Sequence, residues 1–304
     1  MKAIVFGASG FIGSHVVVAL MKANHNVTAV IRESSQSTFL ESLGIPIKRV
    51  NYSDLTQLNK VMEGQSVVYN CTASKKLTSK VEDQAVEVSI TKKLIQAALN
   101  TGISHFIQLS SIIIYGFEKT GLINETYQPI IETPIQIIQQ KRERIVIAAG
   151  QASKMAITVV RPASTIGERG VHSFFAKLFF LNQVGQFPII NSGQAMTSFI
   201  DTRDLGRTMT IIAEQRITGI YLLKGFDTTW IQLKDTIDTI SGQATPYKRI
   251  SKKLANQDVS SYEAKVFSTT RIWNDTKIRK QGVYPKYSLD QAVKKEIDYL
   301  KSIE

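Results

Sequence analysis

The chain has 304 residues, 43% hydrophobic and 20% charged, with a formal net charge of +12 and one cysteine. That balance belongs to a folded globular protein with a sizeable core, either two domains or one large α/β unit. It excludes an internal disulfide, and the lack of any run of about 18 apolar residues excludes a membrane-spanning helix. The basic residues come in small groups such as Lys92-Lys93, Lys141-Arg142 and Lys294-Lys295, without interleaved aromatics. They describe a solvated surface or a site for an anionic ligand rather than a nucleic-acid stripe. The four histidines are scattered and no Cys/His cluster marks a metal. A lone cysteine (Cys71), and a start that enters the first strand with no room for a targeting peptide, lead to the expectation of a reducing, cytoplasmic setting.

Lys2–Phe6 is a short apolar run, followed by Gly7, Gly10 and Gly13 in the spacing G-x-x-G-x-x-G. From Phe11 the apolar positions take a helical period, and Val27–Ile31 is a second apolar run ending at Arg32. Strand, glycine turn, helix, strand is the pattern of a dinucleotide site. Glycines let the backbone approach a pyrophosphate, and the helix N-terminus presents free N–H groups to it. Arg32 and Ser34 stand where an adenine ribose lies in such folds and favour NADP over NAD; Glu33 argues the other way.

Strands are expected at 46–50, 66–69 and 106–109, with helices at 56–62 and 82–100 between them. Asp54 is placed to cap the first of these helices or to accept from an adenine amino group. The alternation predicts an α/β fold, a Rossmann-type doubly wound parallel sheet. The carboxyl ends of its strands then carry the three glycines, Arg32, Asp54, Thr72 and Ser111. After Arg161-Pro162 the alternation breaks. The expected division is a dinucleotide-binding part, 1–162 and 196–224, and a smaller C-terminal α/β part, 163–195 and 225–304. Within 196–224 the chain is expected to return to the sheet, with strands at 198–201 and 220–223 and a helix at 203–214. The smaller part then has helices at 230–241, 251–265, 275–281 and 289–302 and a strand at 247–250. Phe174, Phe175, Phe179 and Trp273 could line an apolar pocket there or pack its core.

Several pieces resemble the extended or atypical branch of the short-chain dehydrogenase/reductase superfamily, the NAD-dependent epimerase/dehydratase type. They are Gly7-Ala8-Ser9-Gly10-Phe11-Ile12-Gly13, Asp54-Leu55, Cys71-Thr72-Ala73, Ser110-Ser111…Tyr115-Gly116, Arg161-Pro162…Gly167 and Phe199-Ile200-Asp201…Asp204-Leu205. The resemblance implies that Gly7, Ser9, Gly10, Phe11, Ile12, Gly13, Arg32, Ser34, Asp54, Leu55, Cys71, Thr72, Ala73 and Pro162 contact the cofactor. It also implies that the second part covers a small-molecule substrate and that two copies pair through helices 82–100 and 135–149.

The family's chemistry uses a serine that polarises the substrate, matched by Ser111, a tyrosine that transfers the proton, and a lysine four residues later. Matching Pro134 and Glu143 to the family pattern puts Ile135 at the tyrosine and Gln139 at the lysine. A shift by two puts Lys141 at the lysine and Ile137 at the tyrosine. Glu87 stands where the family keeps an asparagine. The standard proton transfer is absent in either register. Lys141, Lys75 or Lys76, or the tyrosines Tyr115 and Tyr127, are the substitutes the sequence offers, with Lys141 the expected catalytic partner of Ser111. The alternative is a nucleotide-sensing regulator that acts through a partner.

Overall fold

The computed structural model describes residues 1–73, 81–250 and 261–303, with side chains described from 86 and from 262 onward in the last two stretches. In chain order the elements are β1 (Lys2–Phe6), α1 (Phe11–Lys22), β2 (Asn26–Ile31), α2 (Thr38–Ser42), β3 (Ile47–Arg49), α3 (Leu55–Met62) and β4 (Val67–Asn70). Then come α4 (Val81–Asn100), β5 (His105–Leu109), a 3₁₀ turn (Ile112–Tyr115), β6 (Gly121–Ile123), α5 (Pro134–Gln151), β7 (Ala156–Pro162), β8 (Ser164–Ile166), α6 (Phe174–Gln183), β9 (Pro188–Ile190) and β10 (Met196–Asp201). The chain closes with α7 (Thr202–Glu214), β11 (Gly219–Leu223), β12 (Phe226–Thr229), α8 (Trp230–Ser241), β13 (Lys248–Ile250), α9 (Ser261–Ser268), β14 (Arg271–Trp273), α10 (Thr276–Arg279) and α11 (Leu289–Ser302).

Seven strands form one sheet in the order β11-β7-β5-β4-β1-β2-β3, and the pairs from β7 to β3 are parallel. This is the expected doubly wound α/β sheet. The order reverses between β1 and β4, so the ligand crevice of such a sheet opens at the carboxyl ends of these strands. The register makes that edge concrete: Phe6 pairs with both Val30 and Asn70, Ile31 with Arg49, and Leu109 with Val160. Gly7, Arg32, Cys71 and Ser110 therefore leave the sheet at one edge.

The chain divides into two compact units, residues 1–116, 130–161 and 205–221 in the first, and 117–129, 162–204 and 222–304 in the second. The first unit's core joins Ile4, Phe6, Val30, Val68 and Phe106 of the sheet to Leu94 and Val146 of α4 and α5. The second is built on Phe175, Phe179, Phe199, Trp230, Phe267 and Val293. Phe175, Phe179 and Trp273 are fully buried, and Phe174 packs edge-on against Trp230. Of the two readings, Phe175 and Phe179 belong to the core of this unit, with Phe174 packed against it, and Trp273 is buried.

The three-residue strands β6, β8 and β14 were not legible, because three residues carry no measurable alternation of their own and the segments around them read as irregular. The equally short β3 and β13 fall within the stretches expected at 46–50 and 247–250. Of the helix expected at 251–265, the first ten residues lie outside the described residues; a helix is present at Ser261–Ser268.

Within the second unit, Glu296 on α11 is buried. Its carboxylate accepts from the Gly167 amide at 2.7 Å and from the Ser173 hydroxyl at 2.8 Å, closing both ends of the 167–173 loop. Burial pushes its pKa up to about 8; the two hydrogen bonds oppose this and the Asp201 charge adds to it. A carboxyl raised on folding from its usual value of about 4.3 favours the folded state while protonated. Its contribution is complete below that value and is lost as pH rises through about 8. Urea midpoints measured across this window should fall with rising pH, and Glu296→Gln should remove most of that slope. An unchanged slope in the variant would refute the assignment.

Candidate functional site

The glycine turn is built by close backbone approach. Gly7 sits at φ +74°, and a Cβ there would lie 2.6 Å from the Cys71 carbonyl oxygen. A Cβ on Gly13 would lie 2.2 Å from the Gly7 carbonyl oxygen, so α1 starts directly on the turn. Gly10 is the N-cap and brings no side chain to the first-turn N–H groups, and no acidic residue sits in that turn. Those N–H groups and the helix dipole face the crevice edge, the physical requirement for holding a pyrophosphate.

Tyr52 secures the turn from beneath. Its hydroxyl accepts from the Gly7 amide at 3.2 Å and donates to the Val30 carbonyl at 3.0 Å. Burial pushes the Tyr52 pKa up to about 12, so the phenol stays neutral and keeps its donor. Sequence reading missed it, since nothing local marks a tyrosine that acts 45 residues away.

Arg32, Glu33 and Ser34 are exposed at the end of β2. Ser35 donates to the Arg32 carbonyl at 3.0 Å, which makes residues 32–35 a turn. Asp54 caps α3, accepting from the amides of Thr56 and Gln57 at 2.9 and 3.1 Å. Its second oxygen accepts from the Gln57 side chain at 3.0 Å, so the capping role is met. Leu55 opens the helix behind it.

At the end of β4, Asn70 fixes Thr72, accepting from its amide at 3.2 Å and from its hydroxyl at 2.7 Å. Cys71 is buried, and burial pushes its thiol up to about 12, with the Arg142 charge opposing. Ala73 is exposed. From α5 the buried guanidinium of Arg142 donates to the Thr72 carbonyl at 2.8 Å, to Thr91 at 3.0 Å and to Glu87 at 3.1 Å. Glu87 is thus the anion that lets an arginine sit there.

At the end of β5, Ser111 is half-buried and its Oγ accepts from the Ile113 amide at 3.2 Å. The neighbouring Ser110 donates to Glu143 at 2.5 Å. Glu143 also takes Nε and Nη2 of Arg161 at 2.9 and 2.5 Å, and Arg161 donates to the Tyr115 hydroxyl at 2.6 Å. This network bolts α5 to the serine turn. The start of α5 is tied to the same turn, Gln136 donating to the Ile114 carbonyl at 3.1 Å.

Polar residues on the buried stripe of α5 were a legible signal. Gln136, Gln139, Arg142 and Glu143 recur at helical spacing and all are buried. The Oε1 atom of Gln139 is buried and has no partner among the described residues.

The substitutes for the proton donor fare differently. Lys141 is exposed and stands two residues, about 200° of helix, from Gln139. The geometry does not bring it to Ser111 by this face. Tyr115 is fully buried against Arg161, and Tyr127, in the other unit, donates to Glu118 at 3.3 Å. Lys75 and Lys76 lie outside the described residues, and Pro162 is buried as the first residue of the second unit's 162–204 stretch.

The residues present suit a nicotinamide dinucleotide. The glycine cradle excludes a Cβ at Gly7 and Gly13, α1 offers free amides, and Gln139 leaves an acceptor for a hydroxyl. No helix of the described residues is long and apolar enough to cross a membrane.

Comparison with known proteins gives the same picture. The NAD dependent epimerase/dehydratase family model matches residues 3–222. Divinyl chlorophyllide a 8-vinyl-reductase of Arabidopsis thaliana is 25% identical over 66% of this chain, though the match spans only 45% of that protein. An uncharacterized UDP-glucose epimerase of Bacillus subtilis is 23% identical over 100% of this chain and 99% of its own. Among solved structures, UDP-glucuronic acid 4-epimerase from Bacillus cereus in complex with NAD has a TM-score of 0.84 at 22% identity, covering 100% of this chain and 99% of that one. UDP-glucose 4-epimerase from Thermus thermophilus with NAD has a TM-score of 0.83 at 18% identity, with both chains covered in full. At these identities the structures share the fold. With the family model covering most of the chain and the glycine cradle in place, this protein belongs to the NAD-dependent epimerase/dehydratase family.

Proposed function

We propose that the chain is an NADP(H)-dependent oxidoreductase that acts on a small organic substrate held by Ser111, with a proton-transfer site unlike that of its family. The observation that carries this reading is the register of α5. Pro134 is its first residue and Glu143 is locked to Ser110 and Arg161, which favours the register with Ile135 at the tyrosine position and Gln139 at the lysine position. A nicotinamide bound there would supply or accept the hydride. The α1 amides would hold the pyrophosphate, Arg32 would take the 2′-phosphate, and the Gln139 Oε1 would accept from a ribose hydroxyl. Ser111 donates its hydroxyl proton in a hydrogen bond to the substrate oxygen. It orients and polarises, but it has no lysine-activated phenol to complete the transfer. Two copies pair through α4 and α5, which light scattering checks.

Wild-type protein should bind NADPH more tightly than NADH and turn over ketones, aldehydes and UDP-glucose slowly. A positioned general acid contributes about 10²–10⁴-fold. Ile135→Tyr with Gln139→Lys should therefore keep NADPH affinity and raise carbonyl reduction by about tenfold or more. Family-typical turnover by the wild type, or no gain in the double variant, overturns the reading.

A further inference from the structure

Arg49 is the last residue of the edge strand β3, paired in register with Ile31, the residue before Arg32. Its guanidinium donates to the carbonyls of Glu33 at 2.8 Å and Ser35 at 2.9 Å, with a longer contact of 3.5 Å to that of Arg32. Its other terminal nitrogen donates to the Ser37 hydroxyl at 2.8 Å. That hydroxyl donates onward to Glu41 at 2.6 Å, in the first turn of α2. One side chain thus ties three carbonyls and one hydroxyl of the 32–37 loop together.

Converging carbonyl dipoles repel one another, and the loop holds this shape because a cation with forked donors sits among them. With three of its carbonyls held by Arg49, the loop leaves the side chains of Arg32, Glu33 and Ser34 exposed. They stand at the crevice edge where the adenosine ribose is read.

We propose that Arg49 is the positioning residue for cofactor discrimination. By holding the carbonyls of Arg32, Glu33 and Ser35 and the Ser37 hydroxyl, it presents Arg32 and Ser34 to the group on the ribose 2′ position. This rests on the reading of Arg32 as a 2′-phosphate ligand. Arg49 acts through the loop, and its planar fork matters more than its charge. A lysine places one compact ammonium at the end of a flexible stem and cannot reach two carbonyls and Ser37 in one fixed geometry.

The test is equilibrium binding of NADPH and NADH, by fluorescence titration, to the full-length wild type, Arg32→Ala, Arg49→Lys and Arg49→Gln. In both Arg49 variants the preference for NADPH should fall by about tenfold, the loss of one or two charge-assisted contacts. NADH affinity should stay within about twofold, and it doubles as the check that the variants fold. The inference is overturned if Arg49→Lys keeps the wild-type preference, which would make charge sufficient. It is also overturned if both cofactors weaken together, the mark of a purely structural role, or if neither variant changes. A wild type with no preference for NADPH, or an Arg32→Ala that loses both cofactors equally, instead removes the underlying assignment of Arg32.

Discussion

Gly13→Ala should destabilise the protein by about 3 kcal/mol and abolish dinucleotide binding, whereas Gly10→Ala should leave the fold intact. The difference follows from what each new methyl meets. On Gly13 it lies 2.2 Å from the Gly7 carbonyl oxygen, 2.9 Å from the Gly7 carbonyl carbon and 3.2 Å from the Ala8 Cα. All three are backbone atoms, held in turn because the Gly7 and Ala8 amides donate to the Val30 carbonyl at 3.1 and 3.3 Å and Tyr52 braces Gly7. No rotamer change relieves the clash, so α1 must move off the turn and its amides leave the crevice. On Gly10, at an ordinary φ of −76°, the methyl meets only the Gly7 carbonyl, at 3.1 Å. A few tenths of an ångström of adjustment accommodates it. Thermal unfolding of the two variants, with NADPH titration of each, checks the order. Equal stability of Gly13→Ala and Gly10→Ala would show that α1 does not rest on the turn as described.

The glycine turn was legible because its physics is local: three residues of one type at fixed spacing between an apolar run and a helical period. The same holds for Asp54, whose cap lies two and three residues away, and for Ser111 at the end of a strand. The sheet then collects these sites by register, which an ordered alternation of strand and helix implies. What escaped the sequence is what acts at long range. Tyr52 reaches 22 and 45 residues back, Arg161 reaches Tyr115 across 46, and Arg142 reaches Thr72 across 70. No period or motif encodes such a pairing. Arg49 reaches back only 12 to 17 residues, yet on an exposed edge strand it reads like any surface arginine. The aromatic residues of the second unit were ambiguous for a related reason. A helix with Phe174, Phe175 and Phe179 looks the same whether it faces a ligand or a core, and only the neighbours, Trp230 and Phe267, decide.

Arg142→Met should cost about 3–5 kcal/mol, because it leaves the Glu87 carboxylate buried without its cation. Arg142 is 1% exposed and Glu87 7%, so water does not replace the lost partner. Burial lowers the pKa of the Arg142 guanidinium while Glu87 raises it, the opposition expected of a charge kept ionised by its neighbour. The double variant Arg142→Met with Glu87→Met should recover part of the loss. It removes the orphaned charge, yet still leaves the Thr72 carbonyl without the donor it has at 2.8 Å, while the Thr91 hydroxyl keeps its bond to the Glu87 carbonyl at 2.9 Å. A buried group left unmet costs about 1–3 kcal/mol. Urea unfolding of wild type, both single variants and the double variant completes the cycle. The expected coupling between the two side chains is about 2 kcal/mol or more, within the range for contacting residues. Additive losses, or a single Arg142→Met within about 1 kcal/mol of wild type, would show that the pair does not hold α4 and α5 to the end of β4. The same variants report on the site. The Thr72 hydroxyl and amide remain anchored to Asn70, so NADPH affinity should fall far less in Arg142→Met than in Gly13→Ala. A loss of cofactor as complete as that of Gly13→Ala would mean that the Thr72 carbonyl matters to cofactor binding as much as the glycine cradle does.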